Sequence, residues 1–209
     1  MQKVTHSEYI AQKKPLAKQL LAKLNEKYQY ASVLITDNYE KGYRASRSGV
    51  AISATNAFGG KGMIVKVYDG KGYAEYSTNE ITAENLPEIE REIEQQLMNP
   101  SNFIPEGTEE AEYKCISDEP CTLCEATDYE IHPRDVGDEK LIETVTALRE
   151  KAVKADERIL DAITGFNYQE YHKLFLSANR ELEQSVLYST GIMALVAAKG
   201  EEIKQSFRG

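Results

Sequence analysis

The chain has 209 residues, with 41% hydrophobic and 28% charged side chains, which is the composition of a folded domain with a real core and excludes a disordered chain. No apolar run approaches the roughly 18–20 residues of a membrane helix, and the basic but core-less start "MQKVTHSEYIAQKKPLAKQ" is no secretory leader. Net charge is −9, and the segment from Glu84 to Glu130 concentrates it, with fourteen Asp and Glu against Arg91 and Lys114. Such an acidic middle opposes binding to nucleic acid. Three cysteines, an odd number, point to a reducing cytoplasm.

Residues 6–27 read as a helix with an apolar stripe of Leu16, Leu20, Leu21 and Leu24. Pro15 predicts either a kink or an onset only at Lys14. Four extended segments follow: "ASVLITD", "YRASRSGVAISATN", "GMIVKVYDG" and "KGYAEYST". Asp69-Gly70, between alternating apolar runs, predicts a hairpin, and "SRSGV" (Ser46 to Val50) predicts a turn. In the third segment Met63, Val65 and Val67 alternate with Ile64, Lys66 and Tyr68, so its sheet has one buried and one wetter face.

The glycines of "GGKGMIVKVYDGKGYAEYS" (Gly59 to Ser77) invite comparison with a phosphate-binding loop. That loop needs a strand before it, a Lys followed by Ser or Thr, and a helix after it. Here a strand-forming run follows, and neither Lys61 nor Lys71 precedes Ser or Thr. The glycines turn the chain.

"TAENLPEIEREIEQQLM" (Thr82 to Met98) reads as a second helix, with Leu86, Ile89, Ile93 and Leu97 on one face. Asn99 to Asp138 has four prolines and little apolar periodicity, so it is expected to be a long acidic inserted loop. A helix returns with "EKLIETVTALREKAVKADERIL" from Glu139, and "YHKLFLSANRELEQSVLYST" and "GIMALVAAKGEEIKQSF" read as strands. At an offset of 129 residues Tyr39 falls on Tyr168, Ser48 on Ser177, Gly62 on Gly191 and Ser77 on Ser206. The order of elements repeats with them. The expected fold is therefore α+β: duplicated helix-plus-antiparallel-meander units, at 1–98 and 139–209, around the acidic loop at 99–138.

Reactive residues are few. Cys121-Thr122-Leu123-Cys124 is a CxxC, with Cys115 upstream and His132 downstream. Four zinc-type ligands in eighteen residues suit a metal, but a structural site usually has two spaced pairs, and free thiols are the competing reading. A redox CxxC calls for a helix N-terminus, which Pro120 and the acidic run do not supply. His6 sits near the start and His172 beside Tyr171 and Lys173 at what reads as a strand start. HExxH and GxSxG are both absent. No catalytic, cofactor-binding or metal residue is assigned from the sequence.

Three phrases carry a resemblance: "GMIVKVYDGKGYAEYST" (Gly62 to Thr78), "FLSANRELEQSV" (Phe175 to Val186) and the helix "EKLIETVTALREKAVKADERI" before the latter. They resemble the N-terminal half of the TldD/PmbA family, the "modulator of DNA gyrase" metallopeptidases. Lys66 stands where an Arg is usual, and Asn179-Arg180 where a Gly is usual after the Ser. The resemblance implies a zinc peptidase acting on unfolded or extended peptides, with its metal motif in a C-terminal half beyond Gly209. For this chain it implies a non-catalytic N-terminal domain, inactive alone and without its own cofactor. Such a domain supplies scaffold, peptide-enclosing surface and a face for a homologous subunit. The competing expectation is a stand-alone interaction or assembly module, with a cation held in the Cys-bearing acidic loop.

Overall fold

A computed structural model describes residues 1–54, 60–98 and 113–209. Two long strands form its spine. β2 (Tyr30–Ser46) and β8 (Ile159–Ser177) pair antiparallel from Ser32↔Ser177 to Ala45↔Thr164 without a shift in register. The outer edge of β2 is shared by β4 (Lys61–Tyr68), which β5 (Tyr73–Thr78) extends, and by β3 (Gly49–Ala54) further along. The outer edge of β8 pairs with β9 (Arg180–Lys199). Along its other side β9 meets β6 (Cys121–Ala126) in parallel and β10 (Glu202–Arg208) antiparallel. A separate two-stranded ladder joins β1 (Gln2–Lys3) to β7 (Asp128–Tyr129). The fold is mixed helix and predominantly antiparallel sheet, as the α+β reading expects.

The helices cover one face of this sheet. On β2 the odd positions Ala31, Val33, Ile35, Tyr43 and Ala45 are buried; on β8 the even positions Ala162, Thr164, Tyr168, Glu170, His172, Leu174 and Leu176 are. This alternation is the period of a strand with one covered face. α1 (Glu8–Lys27) and α2 (Leu86–Met98) cover the end where Ala31, Val33, Ile35, Val65, Leu174 and Leu176 lie. α4 (Asp138–Val153) covers the other end with Leu141 and Val145 against Tyr43, Ala45 and Tyr168. α1 leads directly into β2 as α4 leads into β8.

Side-chain ties hold the start of α1 and both ends of α4. Ser7 caps α1 by accepting from the Ile10 N–H and donates its own hydroxyl to Asp37 on β2 at 2.6 Å. Asp138, in the first turn of α4, accepts from Tyr43 Oη at 2.7 Å and pairs with Lys41 at 2.6 Å, placing its negative charge at the positive helix end. Burial, and then this bond to Asp138, pushes the Tyr43 phenol up to about 12. At the other end of α4, Arg149 donates to the Ala162 carbonyl and pairs with Asp161.

Several expectations change. α1 starts at Glu8 and runs through Pro15, so helix onset at Lys14 is corrected; the Ser7 cap starts the helix six residues earlier. The second helix begins at Leu86 rather than Thr82, because the Asn85 carbonyl accepts the first helical bond, from Ile89. "ASVLITD" is not a short strand: β2 continues through the polar stretch Asp37–Lys41, because β8 pairs with it throughout. α4 stops at Val153 and residues 159–160 belong to β8; Asp156, accepting from the Arg158 N–H and pairing with its guanidinium, closes the turn between them. β8 itself extends upstream of Tyr171. Of the expected acidic loop, residues 99–112 lie outside the described residues. The remainder is not loop throughout, because it contains β6, β7 and the short α3 (Pro133–Val136).

The Asp69-Gly70 hairpin is present. Asp69 Oδ1 accepts from the N–H groups of Lys71 and Gly72, and Gly70 takes φ +101°, a value that favours glycine. From Gly60 on, the glycine-rich stretch leads into β4, so it is strand and turn, not a phosphate loop, while Gly59 lies outside the described residues.

Leu20 is fully buried between α1 and the sheet. Leu20→Ala is expected to cost about 2–5 kcal/mol in denaturant unfolding, while Ile203→Ala, at a position 63% exposed, is expected to stay within about 0.5 kcal/mol.

Candidate functional site

Between its two apolar clusters the covered face turns polar. On β8, Glu170 and His172 are two residues apart and so share that face. Their register partners are Tyr39 and Asp37 on β2, and Leu187 and Ser185 on either side of Val186 on β9. His132 and Arg134 arrive from the segment around α3, and His6 from the residue before the α1 cap. The β1–β7 ladder, with Val4 donating to the Thr127 carbonyl and Thr127 to that of Ser185, lays the N-terminus over this region. The chain's three histidines, far apart in sequence, thereby enter one cluster.

Their contacts form a line. The Cys124 thiol lies 3.5 Å from His6 Nε2. His6 Nδ1 is 2.9 Å from Ser185 Oγ, which is 2.9 Å from His172 Nδ1. His172 Nε2 faces Glu170 Oε2 across 3.7 Å. Glu170 Oε1 is 2.7 Å from an Arg134 guanidinium nitrogen and 3.4 Å from His132 Nε2, yet neither N–H is aligned on it as a hydrogen bond. Arg134 stacks 4.5 Å above the Tyr39 ring, and Tyr129 meets His132 edge-on. A cleft of about 230 Å³, lined by Val4, Tyr129, His132, Arg134 and Glu170, opens beside this end.

Glu170 is only 7% exposed. Burial alone raises a carboxyl's pKa, but the neighbouring His172 Nε2, the Arg134 charge and, in their protonated forms, the charges of His132 and His172 outweigh it, so Glu170 sits below its ordinary range. An ionised carboxylate accepts and cannot donate, so it favours the neutral His172 tautomer with its hydrogen on Nε2, toward Glu170. In that tautomer Nδ1 accepts from the Ser185 hydroxyl, Ser185 accepts from His6 Nδ1–H, and the lone pair of His6 Nε2 faces the Cys124 sulfur. Ser185 itself is 1% exposed with an imidazole on each side, so it bridges the two rings and presents no accessible nucleophile.

The residues singled out in sequence are placed differently. Cys121 and Cys124 both lie on β6, and a separation of three on a strand turns them to opposite faces; they cannot share an ion. Cys115 contacts the Ile116 carbonyl and His132 caps α3. Among the described residues no three His, Cys, Asp or Glu side chains converge as a metal site. Sequence reading missed the convergence itself, because His172 lies mid-strand rather than at a strand start and Ser185 carried no motif. The one local signal was the two-residue spacing of Glu170 and His172.

No family profile matches the chain, and no curated protein matches it by sequence. Solved structures share its fold. A candidate modulator of DNA gyrase from Bacteroides thetaiotaomicron matches over 93% of this chain with a TM-score of 0.64 at 17% identity. A second, from Thermotoga maritima, matches over 93% with a TM-score of 0.66 at 14% identity. TldE from Thermococcus kodakarensis matches over 92% with a TM-score of 0.59 at 14% identity. The likeness is one of fold, and it is to the same group of proteins that the sequence phrases resemble. The chain spans about two-fifths of each structure, 43%, 42% and 42% of their lengths. Among the described residues no helix is long and apolar enough to cross a membrane.

Two outcomes test this site. Because the folded-state pKa of Glu170 is depressed from 4.5, its carboxylate adds stability above that pH, and this is lost as pH falls through the folded value. Glu170→Gln is expected to cost about 1–3 kcal/mol near neutrality, with the gap closing in urea titrations as pH falls below the ordinary carboxyl range. Cys121→Ser and Cys124→Ser are expected to leave unfolding stability within about 0.5 kcal/mol; a loss of several kcal/mol, the scale of a structural zinc, would restore the metal reading.

Proposed function

We propose that this chain is the N-terminal, non-catalytic domain of a TldD/PmbA-type zinc peptidase. It would supply scaffold, dimer surface and part of the enclosure for an unfolded or extended peptide, in a cytoplasm. The observation that carries this reading is the pair of coverages: nearly all of this chain, yet only about two-fifths of each similar structure. A zinc centre belongs, on this reading, to the part of the protein these residues do not include. The described residues bring no three ligands together, and the sequence has no HExxH. No chemical step is therefore assigned to a metal here.

A homologous subunit is the proposed partner. Support comes from the end of the sheet beyond α4. β3 and β10 are exposed at every residue, β10 is an edge strand, and Ile203 and Phe207 are 63% and 62% exposed. Unpaired strand edges with apolar side chains favour association. We also read the fold as a duplication. At the 129-residue offset, β2 falls on β8, and the β4–β5 hairpin at 61–78 falls on 190–207, the end of β9 with β10. In the second unit the counterparts of β3 and β4 would then be fused into the single strand β9.

The purified chain is expected to show no chelator-sensitive cleavage of an unstructured peptide, and to run as a dimer in light scattering. Cleavage abolished by chelator would overturn the non-catalytic assignment. A reading frame that continues past Gly209 into an HExxxH segment would support it, whereas a stop codon there would favour the stand-alone module.

A further inference from the structure

We propose that Cys124 is a nucleophilic thiol activated by His6, a modification site for small soft carbon electrophiles of the α,β-unsaturated carbonyl type. Three features single it out. It is exposed, and it is among the residues lining a cleft of about 320 Å³, with Lys3, Glu125, Thr127, Gln184 and Ser185. Its sulfur lies 3.5 Å from His6 Nε2, within reach for thiol–imidazole proton transfer. And the base is itself oriented by a third group, the arrangement that marks an activated nucleophile.

That third group is Ser185, hydrogen-bonded to His6 and to His172, whose Nε2 lies 3.7 Å from the buried Glu170 carboxylate. With His172 neutral and its hydrogen toward that carboxylate, Ser185 accepts from His6 Nδ1–H, and Nε2 is left as the acceptor for the thiol proton. Glu183 also faces His6, with Oε1 3.7 Å from Nδ1, and is itself held by Lys14 at 2.8 Å; it reinforces the same tautomer. Cys121, on the opposite face of the strand, and Cys115, against a backbone carbonyl, have no such base among the described residues.

The reaction balances without any other reagent. The Cys124 proton passes to His6 Nε2 and the sulfur adds to the β-carbon of the electrophile. The alkene π pair moves to the α-carbon, which recovers the proton from the imidazolium. One S–C bond forms, one π bond is lost, and nothing is oxidised.

Acrylamide is a suitable probe because it is slow enough for the thiols to be ranked. The full chain would be treated under native conditions and the rate at each cysteine read by peptide mass spectrometry, with Cys121 as the internal reference. Cys124 is expected to react about tenfold faster than Cys121, and His6→Gln to bring it down to the reference rate. Glu170→Gln, a positioning change, is expected to lower the Cys124 rate while leaving that of Cys121 unchanged. Equal native rates at Cys124 and Cys121, or a Cys124 rate indifferent to His6→Gln, would overturn the proposal. Should a variant fail to fold, the unaltered chain still decides: a Cys124-to-Cys121 ratio that stays the same in denaturant refutes activation by the fold, and one that collapses supports it.

Discussion

The unbroken antiparallel register between β2 and β8 is the constraint on which the rest of this structure depends. Fourteen consecutive pairs, from Ser32↔Ser177 to Ala45↔Thr164, lock which residues of each strand face the helices. With β2 held in place, a slip of one residue would turn Leu174 and Leu176 to the open face and bring Phe175 inward. It would also separate Glu170 from Tyr39 and His172 from Asp37. The two apolar clusters and the polar line between them are thus not separate achievements of the fold. They are successive stretches of one face, read along the same pair of strands.

That face carries an energetic tension. Glu170, His172, His132 and Ser185 are all under 10% exposed, and burying such groups costs free energy unless they are paired. The fold meets the cost by bringing polar partners from outside the sheet: Arg134 and His132 from around α3, and His6 from the N-terminus. Each arrival needs its own tether, which explains the otherwise slight β1–β7 ladder and the bonds from Val4 and Thr127. The cluster therefore staples chain segments more than a hundred residues apart to the centre of the sheet. An apolar replacement at these positions would pack, but it would give His6 and residues 121–136 no specific place to dock.

How much of this was legible in sequence follows from the range of each interaction. The leucine stripe of α1, the Leu86/Ile89/Ile93 stripe of α2, the Met63/Val65/Val67 alternation and the Asp69-Gly70 turn are all local patterns, and each appears where it was read. The polar run from Asp37 to Lys41 looks like a strand end on its own and becomes mid-strand only because β8 pairs alongside it. β6 pairs in parallel with β9, across more than fifty residues of sequence, and nothing within "CTLCEA" announces that partner. The same non-local pairing changes what the CxxC means. In a loop, two cysteines at that spacing close on one ion; on a strand they face apart.

Strand parity also decides where chemistry can occur. Within the cluster, the Ser185 hydroxyl is walled in by two imidazoles and the Glu170 carboxylate is buried under Arg134 and His132, so neither is freely exposed. A network of this kind acts through its open end. With His172 neutral, the buried carboxylate, unable to donate, favours one hydrogen-bond direction along the line, and that direction leaves an acceptor at the far terminus. That terminus is His6 Nε2, at the surface, where Cys124 is the side chain in contact. The polarity of the line, not the identity of any single histidine, is what turns a structural staple into a site with a reactive end.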